Sequence, residues 1–433
     1  MVSRDLAPAA PQSASVTLRA IAPSVFLPAL VYEIGNGAIA PVIALTALDL
    51  GASPSKAGYL LALLGIGQVL GDLPASSLAV RIGDRRAMIV AAGVAMLALL
   101  GCLLAPSVPA LGLALVVLGM CNATFYLARQ SYLTEVVPTA IRARAMSTLG
   151  GSHRIGLFIG PFVGAAAIGL TSLRAAYVVA MATALIAALL LVLIPDAERP
   201  GDRPPEVRGG IGPAAMVKAH RKLFMTLGMA VLAVGAVRAA RQTVLPLWAE
   251  HIGLNAETTS LVFGVASAVD MALFYPAGKV MDRFGRMAIA LPSMLILGLA
   301  MMALPLTGNV WSLAAVAMVM SFGNGIGSGI MMTLGADVAP SDGRIRFLSI
   351  WRVMSDSGNA AGPVVVSVVA TAWTLAAGVV AIGSAGLVAA AALGRWAPRY
   401  SPFATLAMVR ARRESPADPV IQGGEIGQRN GPG

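Results

Sequence analysis

Apolar residues fall in twelve runs along this chain. The runs cover residues 21–47, 57–80, 87–105, 109–136, 146–170, 174–194, 223–248, 258–280, 287–306, 310–335, 348–371 and 374–394. A helix needs about 20 apolar residues to cross a bilayer, so each run predicts a membrane-spanning helix. Barrel strands would be shorter and would alternate apolar with polar positions, which these runs do not. The first and fourth runs are long and glycine-rich, as tilted or bent spans are. The pattern predicts an all-α membrane protein with twelve transmembrane helices in two six-helix bundles.

The polar segments divide the chain. Residues 1–20 read as a cytoplasmic tail and 21–194 as the first bundle. Residues 195–221, rich in Pro, Gly and charge, read as a cytoplasmic linker. Residues 222–394 form the second bundle, and 395–433 a polar, disordered tail.

Composition agrees. Hydrophobic residues make up 57% and charged residues 12%, against about 25% charged in a soluble domain. That excludes an ordinary soluble enzyme. The net charge of +11 comes from 31 Lys+Arg against 20 Asp+Glu. The bases do not form a nucleic-acid surface; they sit in short loops on one side. Arg81, Arg85, Arg86, Arg142, Arg144, Lys279, Arg283, Arg286, Arg344 and Arg346 share that side with the basic linker, and only Lys56 and Arg174 lie opposite. The positive-inside rule then places both termini in the cytoplasm, in a cell (inner) membrane. Cys102 and Cys121 sit inside apolar runs and offer neither a disulfide framework nor a metal site. No cleavable signal peptide is read at the start.

The two halves align without a gap, at one constant offset. Gly51 falls on Gly253, Pro74 on Pro276, Gly83 on Gly285, Asn122 on Asn324, Glu135 on Asp337 and Gly160-Pro161 on Gly362-Pro363. Such a duplication predicts two similar bundles that rock about a site at mid-membrane.

On these residues the chain resembles the major facilitator superfamily of secondary transporters. The family's loop motif after the second span of a half reads Gly-x-x-x-Asp-Arg-x-Gly-Arg. The second half carries it as Gly278, Asp282, Arg283, Gly285 and Arg286. The first half has Ser76, Val80, Arg81, Gly83 and Asp84 in its place. Gly156, Gly160, Pro161 and Gly164 on the fifth span match a motif of the family's drug/proton antiporters. The basic residue often found early in the fourth span is missing, because Leu115–Gly119 stand there. Arg129 lies toward the cytoplasmic end of that span.

The resemblance implies alternating access without catalysis or a cofactor. It favours proton-coupled export of small amphipathic, drug-like compounds, with uptake of a metabolite such as an organic acid or sugar as the alternative. It implies a monomer whose partners are a small-molecule substrate, protons and lipid. A membrane enzyme finds no support, since no Ser/His, paired-carboxylate or metal-spaced cluster is present.

Glycines four apart let helices approach closely, and the Gly156–Gly164 stripe is expected to pack on the other half. For gating, Arg283 is expected to pair with Asp337, as Arg81 with Glu135. Asp282 is expected to meet the N-terminus of a helix.

Charges inside the spans are costly, about 2.5–3.5 kcal/mol each at the bilayer centre, so they must pair or line water. Glu33 on the first span is expected to face Arg238 on the seventh. Arg241 shares the face of Arg238. Arg352 and Asp356, four apart, are expected to pair and to contribute to gating. The neighbouring spans of the resembled fold also permit Asp72 with Arg352, and His153 or Arg154 with Asp270. Burial raises a carboxyl pKa and a nearby arginine lowers it, so a carboxyl that changes surroundings takes up and releases a proton. Glu33 is the first choice for that acid, followed by Asp270 and Asp72. Tyr32, Asn36, Tyr126, Gln130, Arg238, Arg241 and Asn324 are the expected substrate contacts. The arginines favour an anionic or zwitterionic substrate and Glu33 a cation, and both stay open.

Overall fold

A computed structural model describes residues 22–137, 139–194, 213–327, 329–340 and 344–414. Helix makes up 89% of it, without strands among the described residues. The long helices are α1 (Ala22–Asp49), α2 (Pro54–Ile82), α3 (Asp84–Leu103), α4 (Val108–Val136), α5 (Thr139–Leu170) and α6 (Ala175–Leu193). The second set is α7 (Arg221–His251), α8 (Ala256–Phe284), α9 (Met287–Ala303), α10 (Val310–Val338), α11 (Arg344–Ala372) and α12 (Leu375–Tyr400). Ten of the twelve pass a strict test of length and apolarity for crossing a membrane. The others, α2 and α11, pack on each other and carry Asp72, Arg352 and Asp356.

The duplication is written into the backbone. Among the described residues four glycines have positive φ: Gly51 (81°), Gly83 (86°), Gly253 (80°) and Gly285 (92°). They form two pairs, Gly51 with Gly253 and Gly83 with Gly285, both at the offset of the sequence repeat. Each closes a turn that a Cβ would strain. Ser53 caps α2, and Asn255 caps α8 at the equivalent position, each accepting a backbone N–H of the first turn.

Packing repeats as well. Helix α1 packs on α5 and α6, α2 on α4, and α3 on α4 and α6. Helix α7 packs on α11 and α12, α8 on α10, and α9 on α10 and α12. The halves meet where α2 lies against α11 and α5 against α8.

One end of the bundle carries Arg81, Arg86, Lys279 and Arg283 and is called the basic end. At the far end, α1 is interrupted at Ala40–Pro41, and its last segment (Val42–Asp49) packs on α7 and α8. Among the described residues, no comparable packing joins α4 to α10. Leu97, Leu113, Leu193, Leu299 and Val388 stand exposed on the outer helices, the apolar surface that lipid covers.

Three details depart from expectation. Helix α12 runs to Tyr400, and a short helix, Leu406–Glu414, follows it, so order extends well past residue 395. Within the expected linker, Pro213–Ala219 is helical and buries Met216. The Gly156–Gly164 stripe packs on α1 of its own half, not on the other half. A Cβ at Gly156 would meet Glu33 Cβ and the Leu30 carbonyl, and one at Gly160 the Ile34 carbonyl, all closer than 3.0 Å. Gly358 and Gly362 on α11 meet the carbonyls of Leu232 and Ala236 on α7 in the same way. These contacts correspond position for position between the halves, so close packing of the first and fifth helices belongs to both.

Candidate functional site

Two clusters of charge lie at mid-depth. The first is built on Glu33, which α1 turns fully inward at 0% exposure. Its Oε1 accepts a hydrogen bond from Arg129 Nη1 on α4 at 2.8 Å. His153 Nδ1 on α5 also lies 2.8 Å from Oε1, off the line that a ring N–H would need for a hydrogen bond. Tyr126 and Asn36 each donate to Oε2 at 3.3 Å. The Arg129 guanidinium lies 4.6 Å over the Tyr126 ring. Beside it, Tyr32 donates to Asn122 at 2.7 Å and stacks on Phe125. Only the close approach at Gly156 lets α5 bring His153 beside α1.

The second cluster centres on Asp270, midway along α8. Arg154 on α5 reaches its Oδ1 at 2.9 Å across the boundary between the halves. Asn324, midway along α10, donates to Oδ2 at 2.5 Å, and Arg241 Nη2 stands 3.6 Å from the same oxygen. Arg238 Nε donates to Asn324 Oδ1 at 2.8 Å, and Arg241 Nη1 to Ser321 Oγ at 2.8 Å.

The predicted partners are therefore redistributed. Glu33 faces Arg129 and His153 in its own half, not Arg238. The repeat explains this: Arg238 is the counterpart of Asn36, and it turns toward α10 as Asn36 turns toward α4. Arg129, expected near the cytoplasmic end, sits about two turns inside the end of α4. Arg154 with Asp270 and Arg352 with Asp356 (3.4 Å) meet as expected. Among the described residues no ion pair joins Asp72 to Arg352, although α2 and α11 pack on each other; Arg352 pairs with Asp356 instead. Gln130 is partly buried on α4.

At the basic end Asp337 pairs with Arg286, not Arg283. Arg286 Nε and Nη2 reach its two oxygens at 3.0 and 3.4 Å. Arg283 is exposed and lies over the Phe284 ring. Ser401 donates to Asp337 at 3.0 Å, and the amides of Arg286 and Met287 donate to the carbonyls of Phe403 and Ala404. The loop motif thus holds the segment after α12, which the sequence did not announce. Gly278 lies in α8, and Arg81 is exposed at the end of α2. The side chains of Glu135 and Asp282 lie outside the described residues.

The sequence model of a family described as Major Facilitator Superfamily matches residues 25–363, and a second match covers 227–406. The second match begins at the repeat counterpart of the position where the first begins. No curated protein matches by sequence. Among solved structures, a D-xylose-proton symporter superposes with a TM-score of 0.65 at 17% identity, covering 87% of this chain and 96% of that one. A POT family transporter in complex with 5-aminolevulinic acid gives 0.72 at 11% identity, covering 88% and 96%. A bacterial homologue of the human lysosomal transporter Spinster, inward-facing and unoccupied, gives 0.66 at 16% identity, covering 94% and 100%. At such identities the likeness is one of fold.

Proposed function

Because this chain belongs to the Major Facilitator Superfamily and is a multi-pass membrane transporter, we propose that it exports small amphipathic compounds in exchange for protons. It does so by alternating access, in the cell's inner membrane with both termini in the cytoplasm. The observation that carries the coupling is Glu33: a fully enclosed carboxylate held by Arg129 from α4 and approached by His153 from α5. A proton arriving at Oε1 removes the negative charge on which Arg129 and His153 converge. The first half then loses the tie between α1, α4 and α5, and those helices are free to shift. Packing of α1 on α7 and α8 at the far end, without its like between α4 and α10 among the described residues, supports a resting state open toward the basic end.

Tyr32, Asn36 and Tyr126 supply the aromatic and amide surface that amphipathic substrates need. The Gly156–Gly164 stripe supports export through its likeness to the antiporter motif. Proton-coupled uptake is the second reading. It is favoured by Gly358, Gly362 and Pro363 in α11, which repeat the first three positions of the stripe (Val366 stands at the fourth) and make close helix approach a packing device of both halves.

Proteoliposomes with an imposed pH gradient test the coupling. Wild-type protein is expected to drive substrate against its gradient, and Glu33→Gln to lose gradient-driven flux while remaining folded. Wild-type rates in the Gln variant refute the assignment. The direction of accumulation relative to the acidic side separates export from uptake.

A further inference from the structure

Charge around Asp270 is out of balance. Arg241, 5% exposed, offers Nη1 to a serine hydroxyl and only a 3.6 Å approach to Asp270, and among the described residues its Nε has no hydrogen-bond partner. Arg238, three residues earlier on the same face of α7, gives its hydrogen bonds to neutral oxygens, Asn324 Oδ1 and the Gly327 carbonyl. No carboxylate of the described residues pairs with it. Asp270 is meanwhile held by Arg154 and Asn324 at shorter range. An arginine enclosed at mid-membrane with an unsatisfied N–H is costly unless a further acceptor visits it.

We propose that Arg238 and Arg241, with the Ser321 hydroxyl beside them, form a subsite for the carboxylate of the transported molecule. The substrate class is therefore an amphipathic organic acid. The inference rests on the transport reading above and adds the chemistry of the substrate. Guanidinium groups present N–H donors in a planar fork that matches two carboxylate oxygens. The incoming group competes with Asp270 for Arg241, where Asp270 holds on least. Asp270 is then left to Asn324 and to Arg154, the latter from the other half. Occupancy of the subsite and the contact between the halves become linked through one side chain.

The test is binding to the purified full chain in detergent, read by calorimetry and by the shift in thermal unfolding. Benzoate, octanoate and succinate are the probes, with benzamide as the uncharged control. At least one of the three acids is expected to bind and benzamide to bind far less. Arg238→Gln and Arg241→Lys are each expected to weaken the acid about tenfold or more. Asp270→Asn removes the internal competitor and is expected to tighten it, an opposite sign that a misfolded variant does not give. The proposal is overturned if none of the acids binds, if benzamide binds equally, if the arginine variants bind like wild type, or if Asp270→Asn weakens binding. Acid binding is read at equilibrium without a pH gradient, whereas the coupling reading is tested by gradient-driven flux, so the subsite and the proton-coupling reading fail separately.

Discussion

Replacing Arg129 with leucine isolates the most enclosed charge among the described residues. Glu33 is fully shielded, and among the described residues Arg129 is the one permanently charged group bonded to it. Removing one partner of a buried ion pair costs about 3–5 kcal/mol, because the other is left uncompensated. What remains offsets little. Asn36 and Tyr126 donate at 3.3 Å, beyond the usual distance of about 2.9 Å, and each such bond contributes about 0.5–1.5 kcal/mol at best. His153 stands close but poorly aligned. Arg129→Leu is therefore expected to lower stability by about 3 kcal/mol or more. The double variant Glu33→Gln, Arg129→Leu is expected to recover most of that loss, since a neutral amide no longer calls for a cation. Unfolding in detergent, followed by tryptophan fluorescence for wild type, both single variants and the double, gives the coupling energy. A single variant within about 1 kcal/mol of wild type, or four values that simply add, refutes the account of the pair.

Gly160→Leu drives a side chain into the backbone of α1 at Ile34, Gly37 and Ala38. It is expected to cost about 1–3 kcal/mol, whereas Gly93→Ala, with nothing within 4 Å of the added carbon, stays neutral or stabilises; the same unfolding assay compares them. Gly285→Ala meets both a positive φ and the backbone of Ala404 and Thr405, while Gly83→Ala meets the φ alone. A larger loss at 285 than at 83 measures the grip of the loop motif on the chain end. Asp337→Asn removes the ion pair with Arg286 and weakens the hold on Ser401. It is expected to speed trypsin cleavage at Arg410, and an unchanged rate refutes the clamp.

Much of this was legible from residue types. Helix spans follow from apolar runs because a bilayer leaves the backbone no other partner. The register of the repeat follows from glycines whose φ no other residue adopts cheaply, and the structure returns those glycines at the same offset. Arg352 with Asp356 was readable because four residues make neighbours on one helix. The partner of Glu33 was not, since spacing along one helix says nothing of which neighbour its face meets. A signal was present: Asn122, Tyr126 and Arg129 recur at helical spacing and share one face of α4. The partner of the Gly156 stripe was also readable, because Gly358 and Gly362-Pro363 repeat Gly156 and Gly160-Pro161 in α11 and point to an arrangement within each half. What no pattern announced was the segment after α12. Its bonds to the loop motif run through backbone carbonyls, which every sequence offers equally.

That docked segment carries a practical consequence for anyone who builds a fusion. Ser401, Phe403 and Ala404 are structural parts of the second bundle, although they follow its last long helix. An affinity handle or fluorescent reporter joined directly after Tyr400 deletes the strap and leaves two backbone amides at Arg286 and Met287 bare. Joined beyond Glu414, the same handle leaves the strap in place.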